Sequence, residues 1–138
     1  MKVRVSWAED RTFRGESGSG HTVFMGASAA GKEALGASPM EMLLLGLGGC
    51  SVFDVMLILE RGREAVEDCV VEIEAVRANE DPKVFTDIRM HFTVQGRGLN
   101  EAKVGRAIQL SAEKYCSASA MLGKTAKITH VFEIEETE

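Results

Sequence analysis

Two of the three cysteines in this 138-residue chain sit in surroundings that an ordinary core residue does not require. Cys50 lies inside Leu43-Leu44-Leu45-Gly46-Leu47-Gly48-Gly49-Cys50-Ser51-Val52-Phe53-Asp54, an apolar helical run broken by glycines, and Cys116 follows Ser111-Ala112-Glu113-Lys114-Tyr115. Each glycine costs a helix interior on the order of 1 kcal/mol relative to alanine, so Gly46, Gly48 and Gly49 need a compensating reason. Gly46 falls one turn before Cys50 on the same face, where a missing side chain leaves space above a thiol or lets another backbone approach. The run therefore has two readings: tight helix packing around an inert buried cysteine, or a cleared thiol that does chemistry. Cys116 falls where one helix ends and the next begins, and amides at a helix terminus favour a thiolate. A disulfide between the two requires Cα atoms within about 7 Å, which sequence separation does not decide. Cys69 alternates within a strand and is expected to be dispensable.

Other candidate chemistry is weaker. Glu41 and Asp54 flank Cys50 on one helix, but the 100° rotation per residue puts Glu41 on the opposite face. Asp54, one turn after Cys50, shares its side, opposes thiolate formation, and is open to pairing with a buried arginine. Gly26-Ala27-Ser28-Ala29-Ala30-Gly31-Lys32 has the spacing of a phosphate-binding loop, yet Glu33 stands where Ser or Thr should hold magnesium and no helix opens there. A loop is expected instead. The cysteines with His21, His91 and His130 show no paired ligand spacing, so no metal site is expected, and each histidine reads as a structural strand residue.

The elements that position these residues are written in period and punctuation. Lys2–Ala8 and His21–Met25 read as strands, with Gly15, Gly18 and Gly20 marking a turn or loop between them. Ser38-Pro39-Met40-Glu41 is a helix start, with Ser38 as N-cap, Pro39 first and Glu41 closing a capping box; the helix runs to about Arg61 and stops at Gly62. Its uncharged core between Glu41 and Asp54 falls short of the roughly 20 residues a bilayer requires, so a buried soluble helix is expected. Being apolar on nearly every side, it needs cover from a partner subunit. Cys69–Val76 and Val84–Val94 alternate and form a hairpin across Asn79–Pro82, with Val84, Thr86, Ile88, Met90, Phe92 and Val94 on one face. Asn100 caps a helix with a stripe of Val104, Ala107, Ile108, Ser111, Ala112 and Tyr115; a short helix from Ser117 to Leu122 and a strand from Lys127 to Glu135 come after it. The order β-β-α-β-β-α-α-β means α+β in a single domain, 1–138.

Composition excludes some classes. A net charge of −5 without a Lys/Arg run argues against a nucleic-acid binder. Met1–Trp7 has no apolar signal segment, and three widely spaced cysteines make no secreted disulfide framework, so a cytoplasmic location is expected.

Ser38-Pro39-Met40-Glu41-Met42-Leu43-Leu44 with Gly49-Cys50-Ser51, followed by Ser111-Ala112-Glu113-Lys114-Tyr115-Cys116, resembles the two cysteine segments of the OsmC/Ohr proteins, the osmotically inducible and organic-hydroperoxide-resistance family. The resemblance spans essentially the whole chain and is closer to the family's YhfA-like branch. It implies an OsmC-like fold with antiparallel sheets wrapped around long central helices in an intertwined homodimer. It also implies a thiol-dependent peroxidase without cofactor, acting on organic hydroperoxides, with Cys50 peroxidatic, Cys116 resolving and an external dithiol as reductant. The family's activating arginine comes from the N-terminal region, where Arg11 and Arg14 are the candidates. The better-characterised peroxidases carry Glu directly after the proline; here Met40 stands there and Glu41 is one residue late. That departure keeps a second reading in view, a dimeric ligand-binding or scaffold protein with idle cysteines.

Overall fold

The computed structural model describes residues 1–28 and 31–138, so Ala29 and Ala30 of the glycine-rich loop lie outside the described residues. The chain divides into two compact units, Met1–Leu45 and Gly46–Glu138.

The first unit is an antiparallel sheet in the order β1 (Val3–Glu9), β2 (Thr12–Ser17), β3 (Thr22–Gly26). β2 is a correction, since a turn or loop is expected there from the glycines. Its single large apolar residue, Phe13, gives no alternation to see, and Gly15 lies inside the strand opposite Val5 and Val23. Val3, Val5 and Trp7 share a face as expected, and all three are exposed. The loop after β3 is not helical at Gly31–Lys32; Lys32 Nζ pairs with Asp10 Oδ2 at 3.2 Å rather than heading a phosphate-binding helix.

The capping box forms as expected. The Glu41 N–H donates to Ser38 Oγ at 3.1 Å, and the Ser38 N–H donates to Glu41 Oε1 at 2.9 Å. Hydrogen bonding to Ser38, first its amide and then its hydroxyl, holds the Glu41 carboxyl below its usual pKa. From this start α1 runs over Pro39–Arg61. By length and composition α1 is long and apolar enough to cross a bilayer. Within this chain it buries one stripe, Leu47, Gly48, Ser51, Val55 and Leu59, and leaves Leu43, Leu45 and Phe53 exposed.

The second unit carries a sheet in the order β4-β5-β6. β4 (Ala65–Arg77) and β5 (Phe85–Arg97) form the expected antiparallel hairpin, with Cys69 opposite Val94 and Val71 opposite Phe92. A bulge near its turn end places two residues of β5 against one of β4, so the buried face runs Phe85, Ile88, Met90, Phe92 and Val94, not from Val84 and Thr86. β6 (Lys127–Glu136) lies parallel to β5, with Phe132 opposite Phe92. The sheet is therefore mixed where wholly antiparallel sheets were expected. The physical reason is the connection: a helical crossover returns the chain to the end at which β5 began, and a parallel neighbour requires such a crossover. The class remains α+β.

The crossover is α2 (Glu101–Leu110), one π-turn (Ser111–Tyr115) and α3 (Ser117–Leu122). Asn100 caps α2 through its side chain, which accepts from the Lys103 N–H at 3.0 Å. Val104, Ala107, Ile108 and Ser111 are buried, but the π-turn rotates the residues after Ser111, and Tyr115 is exposed rather than part of the stripe.

Candidate functional site

Cys50, Ser51 and Asp54 share one side of α1 because they fall within about one turn of each other. Cys116 is aimed at them by the π-turn. Its N–H reaches back five residues to the Ser111 carbonyl at 2.8 Å, and its side chain then caps α3 by accepting from the Ser119 N–H at 3.3 Å. The Ser51 hydroxyl, which donates to the Leu47 carbonyl at 2.9 Å, lies 3.6 Å from Cys116 Sγ. Ser111 Oγ, from the first residue of the π-turn, donates to Asp54 Oδ2 at 3.0 Å. The result is that Cys50 Sγ, Cys116 Sγ and an Asp54 carboxylate oxygen all lie within 4.8 Å of one another. Cys116 is 3% exposed, while Cys50 and Asp54 are half-buried, so the cluster has one open side. Both sulfurs are free thiols.

The two thiols are not equivalent. Burial pushes the Cys50 thiol up, and a hydrogen bond with Cys116 and the negative charges of Cys116 and Asp54 push the same way; the Ala118 amide opposes them without reversing the direction. Burial also pushes Cys116 up, but the Ser119 hydroxyl and amide, Cys50 and the Ser51 hydroxyl outweigh it and hold Cys116 below the usual cysteine value. Of the two Ser119 groups, the amide has hydrogen-bond geometry to the sulfur, while the buried hydroxyl has no hydrogen-bond partner. A thiol expected to be ionised at Cys50 is thus the less acidic member of the pair within this unit.

The remaining sequence candidates fall elsewhere. Cys69 is buried on β4 outside the cluster, and burial followed by the charge of Asp68 raises its pKa to about 11. Arg14, on β2, pairs with Glu16 at 3.0 Å, and Arg11 lies in the turn before β2; both belong to the first unit. Asp54 is held by Ser111 rather than by an arginine, and among the described residues no Lys, Arg or His forms an ion pair with it. His130 stacks on Phe92 with ring centroids 6.2 Å apart, and among the described residues no histidine joins the cysteine cluster. Sequence reasoning missed Ser51 and Ser119 as partners of Cys116 and Ser111 as the partner of Asp54. The adjacency of Ser51 to Cys50 was the one available signal.

Comparison with known proteins matches residues 30–131 to the family model described as OsmC-like protein. The chain belongs to the OsmC-like family. This OsmC-like chain is 49% identical over 134 residues to Protein YhfA of Escherichia coli K12, covering 97% of the chain and 98% of the relative. A hypothetical protein from Aquifex aeolicus is similar in structure, with a TM-score of 0.87 at 28% identity over 99% of this chain and 97% of the other. The organic hydroperoxide resistance protein OhrB of Bacillus subtilis shares the fold, with a TM-score of 0.65 at 14% identity over 96% of this chain and 98% of the other.

Proposed function

We propose that this OsmC-like protein is a thiol-dependent peroxidase that reduces organic hydroperoxides through Cys50 and Cys116. One observation carries the reading: sulfurs from α1 and from the β5–β6 crossover lie side by side with one open face. The Cys50 thiolate attacks the distal peroxide oxygen, the O–O bond breaks, and the alkoxide leaves and takes a proton, giving an alcohol and Cys50 sulfenic acid. The Cys116 thiolate then attacks the Cys50 sulfur, and hydroxide leaves as water to give the disulfide. An external dithiol returns both cysteines to thiols by exchange and becomes a disulfide itself. The Met and Leu side chains of α1 favour an alkyl peroxide over hydrogen peroxide. Cys50 needs a cation to ionise against its surroundings, and Arg11 and Arg14 are the candidates.

The working form in this reading is a cytoplasmic homodimer. Its support is the exposed apolar side of α1, Leu43, Leu45 and Phe53, together with Val3, Val5 and Trp7 on β1, more apolar surface than a monomer ordinarily leaves in water. Light scattering on a sizing column tests the dimer, and a monomer at micromolar concentration rejects it.

Stoichiometric alkyl hydroperoxide tests the chemistry. Wild type loses two hydrogens per chain by intact mass, Cys116→Ser is trapped at Cys50 by a sulfenate-reactive probe, and Cys50→Ser keeps Cys116 as a thiol. Oxidation of Cys116 first reverses the roles. Absence of the disulfide rejects the peroxidase in favour of the second reading, a ligand-binding or scaffold protein, which the raised pKa of Cys50 and the presence of Met40 after the proline support.

A further inference from the structure

The cysteine pair and Asp54 form a three-ligand set that redox chemistry alone does not call for. We propose that the reduced protein binds one zinc-class divalent cation through Cys50 Sγ, Cys116 Sγ and Asp54 Oδ1, with the fourth position facing the open side of the cluster. This uses the sulfurs of the proposed peroxidase but does not rest on that reading.

Distance, donor type and charge point the same way. Both sulfurs and a carboxylate oxygen of Asp54 already lie within 4.8 Å of one another. A tetrahedral zinc with Zn–S of about 2.3 Å and Zn–O of about 2.0 Å holds its ligands about 3.5–3.8 Å apart, so small side-chain rotations close the set. Cys50 and Asp54 are one helical turn apart on α1, and Cys116 is fixed by the π-turn, so two of the three ligands come from one rigid element. Two sulfurs and one carboxylate select a borderline-soft ion and reject magnesium or calcium.

The surrounding hydrogen bonds fit the same assignment. Ser111 occupies Asp54 Oδ2 at 3.0 Å and leaves the other carboxylate oxygen for the ion. The Ser119 N–H, 3.3 Å from Cys116 Sγ, donates to the sulfur as outer partners of metal-bound thiolates do. With both thiols ionised the set carries three negative charges, and among the described residues no cationic side chain pairs with Asp54. A divalent cation replaces the two thiol protons and relieves that repulsion.

The test uses full-length protein, fully reduced and stripped with EDTA. Titration with zinc chloride against a chromophoric zinc indicator should give one equivalent bound per chain, and cobalt(II) should give thiolate charge-transfer bands with tetrahedral d–d absorption. Binding should vanish in the Cys50→Ser, Cys116→Ser double variant. It should weaken at least tenfold in Asp54→Asn, and roughly tenfold in Ser111→Ala, which keeps every ligand and removes only the outer hydrogen bond. Circular dichroism on each variant separates lost ligation from lost fold. Zinc binding no tighter in wild type than in the double variant overturns the proposal. Equal affinity in wild type, Asp54→Asn and Ser111→Ala also overturns it, since that leaves dithiol chelation alone. Peroxide-driven disulfide formation is measured separately on the EDTA-stripped wild type, so failure of the metal site and failure of the peroxidase read out independently.

Discussion

Gly48→Leu is the substitution that best separates the two explanations of the glycine-rich run in α1. A Cβ at Gly48 meets Ile73 Cδ1 and Val71 Cγ1, each at 3.3 Å, so the helix packs tightly on β4 there and those side-chain ends must give by a few tenths of an ångström to admit even one carbon. At Gly46 and Gly49 a Cβ meets nothing within 4 Å. The space expected at Gly46 is thus open, whereas the close approach of the helix to a neighbouring element is at Gly48, on the other side of the helix. Replacing Gly48 by leucine recovers about 1 kcal/mol of helix propensity. It also forces extra methylenes into a filled seam, which costs about 1–3 kcal/mol, and the bulk of a whole leucine belongs at the upper end. The net loss is about 1–2 kcal/mol. With unfolding entropy of about 2.1 cal/mol/K per residue over 138 residues, 1 kcal/mol is worth about 3–4 °C, so the midpoint should fall by about 3–8 °C. Gly46→Ala is the paired control and should raise it by about 3 °C, because only propensity changes. Both are read by thermal denaturation at one protein concentration and repeated in urea. A Gly48→Leu midpoint at or above wild type refutes the close-approach argument.

Ser38→Ala removes the N-cap acceptor of α1 and should cost about 1 kcal/mol by urea unfolding; no change would show that Pro39 alone fixes the helix start. Cys69, with a pKa of about 11, should react with iodoacetamide at pH 8 on the order of a hundred times more slowly than a free thiol, and Cys69→Ala should leave the peroxide-driven mass change intact. Burial lowers the pKa of His130 below 6.5, with Glu113 pulling the other way without reversing the direction, so the unfolded chain binds the proton more tightly than the native one. The contribution of this group to stability should be complete above pH 6.5 and fall as the pH drops through the lowered native value, and His130→Gln should flatten that slope; an unchanged slope assigns it to another group.

Local chemistry made some elements readable and left others hidden. The bounds of α1 were legible because Ser38, Pro39 and Glu41 write its start and Gly62 its end, and the burial of alternate residues on β5 was legible up to the bulge. β2 was not, since Phe13-Arg14-Gly15-Glu16 has no period, and its place is set by two neighbours that satisfy its backbone. The parallel pairing of β6 is a property of the crossover, not of any residue in the strand. Within the site, helical geometry alone put Asp54 beside Cys50. The approach of Cys116 came only from the family resemblance, and Ser111 gave no signal because a serine on a buried stripe reads as a small core residue until a carboxylate is found opposite it.

The π-turn at Ser111–Tyr115 amounts to one residue more than an α-helical path from Leu110 to Cys116 would hold. Deleting any one residue between 111 and 115 lets the helix close with ordinary four-residue spacing and swings the next sulfur by about 100° around the axis. The aim of Cys116 is therefore stored in a count of residues, not in the identity of the side chains beside it. Substitutions at Ala112, Glu113 or Lys114 leave that count alone, so this segment can change composition at those positions and keep the aim of Cys116. It tolerates no change in length, because a single deletion redirects the second thiol without altering one reactive atom.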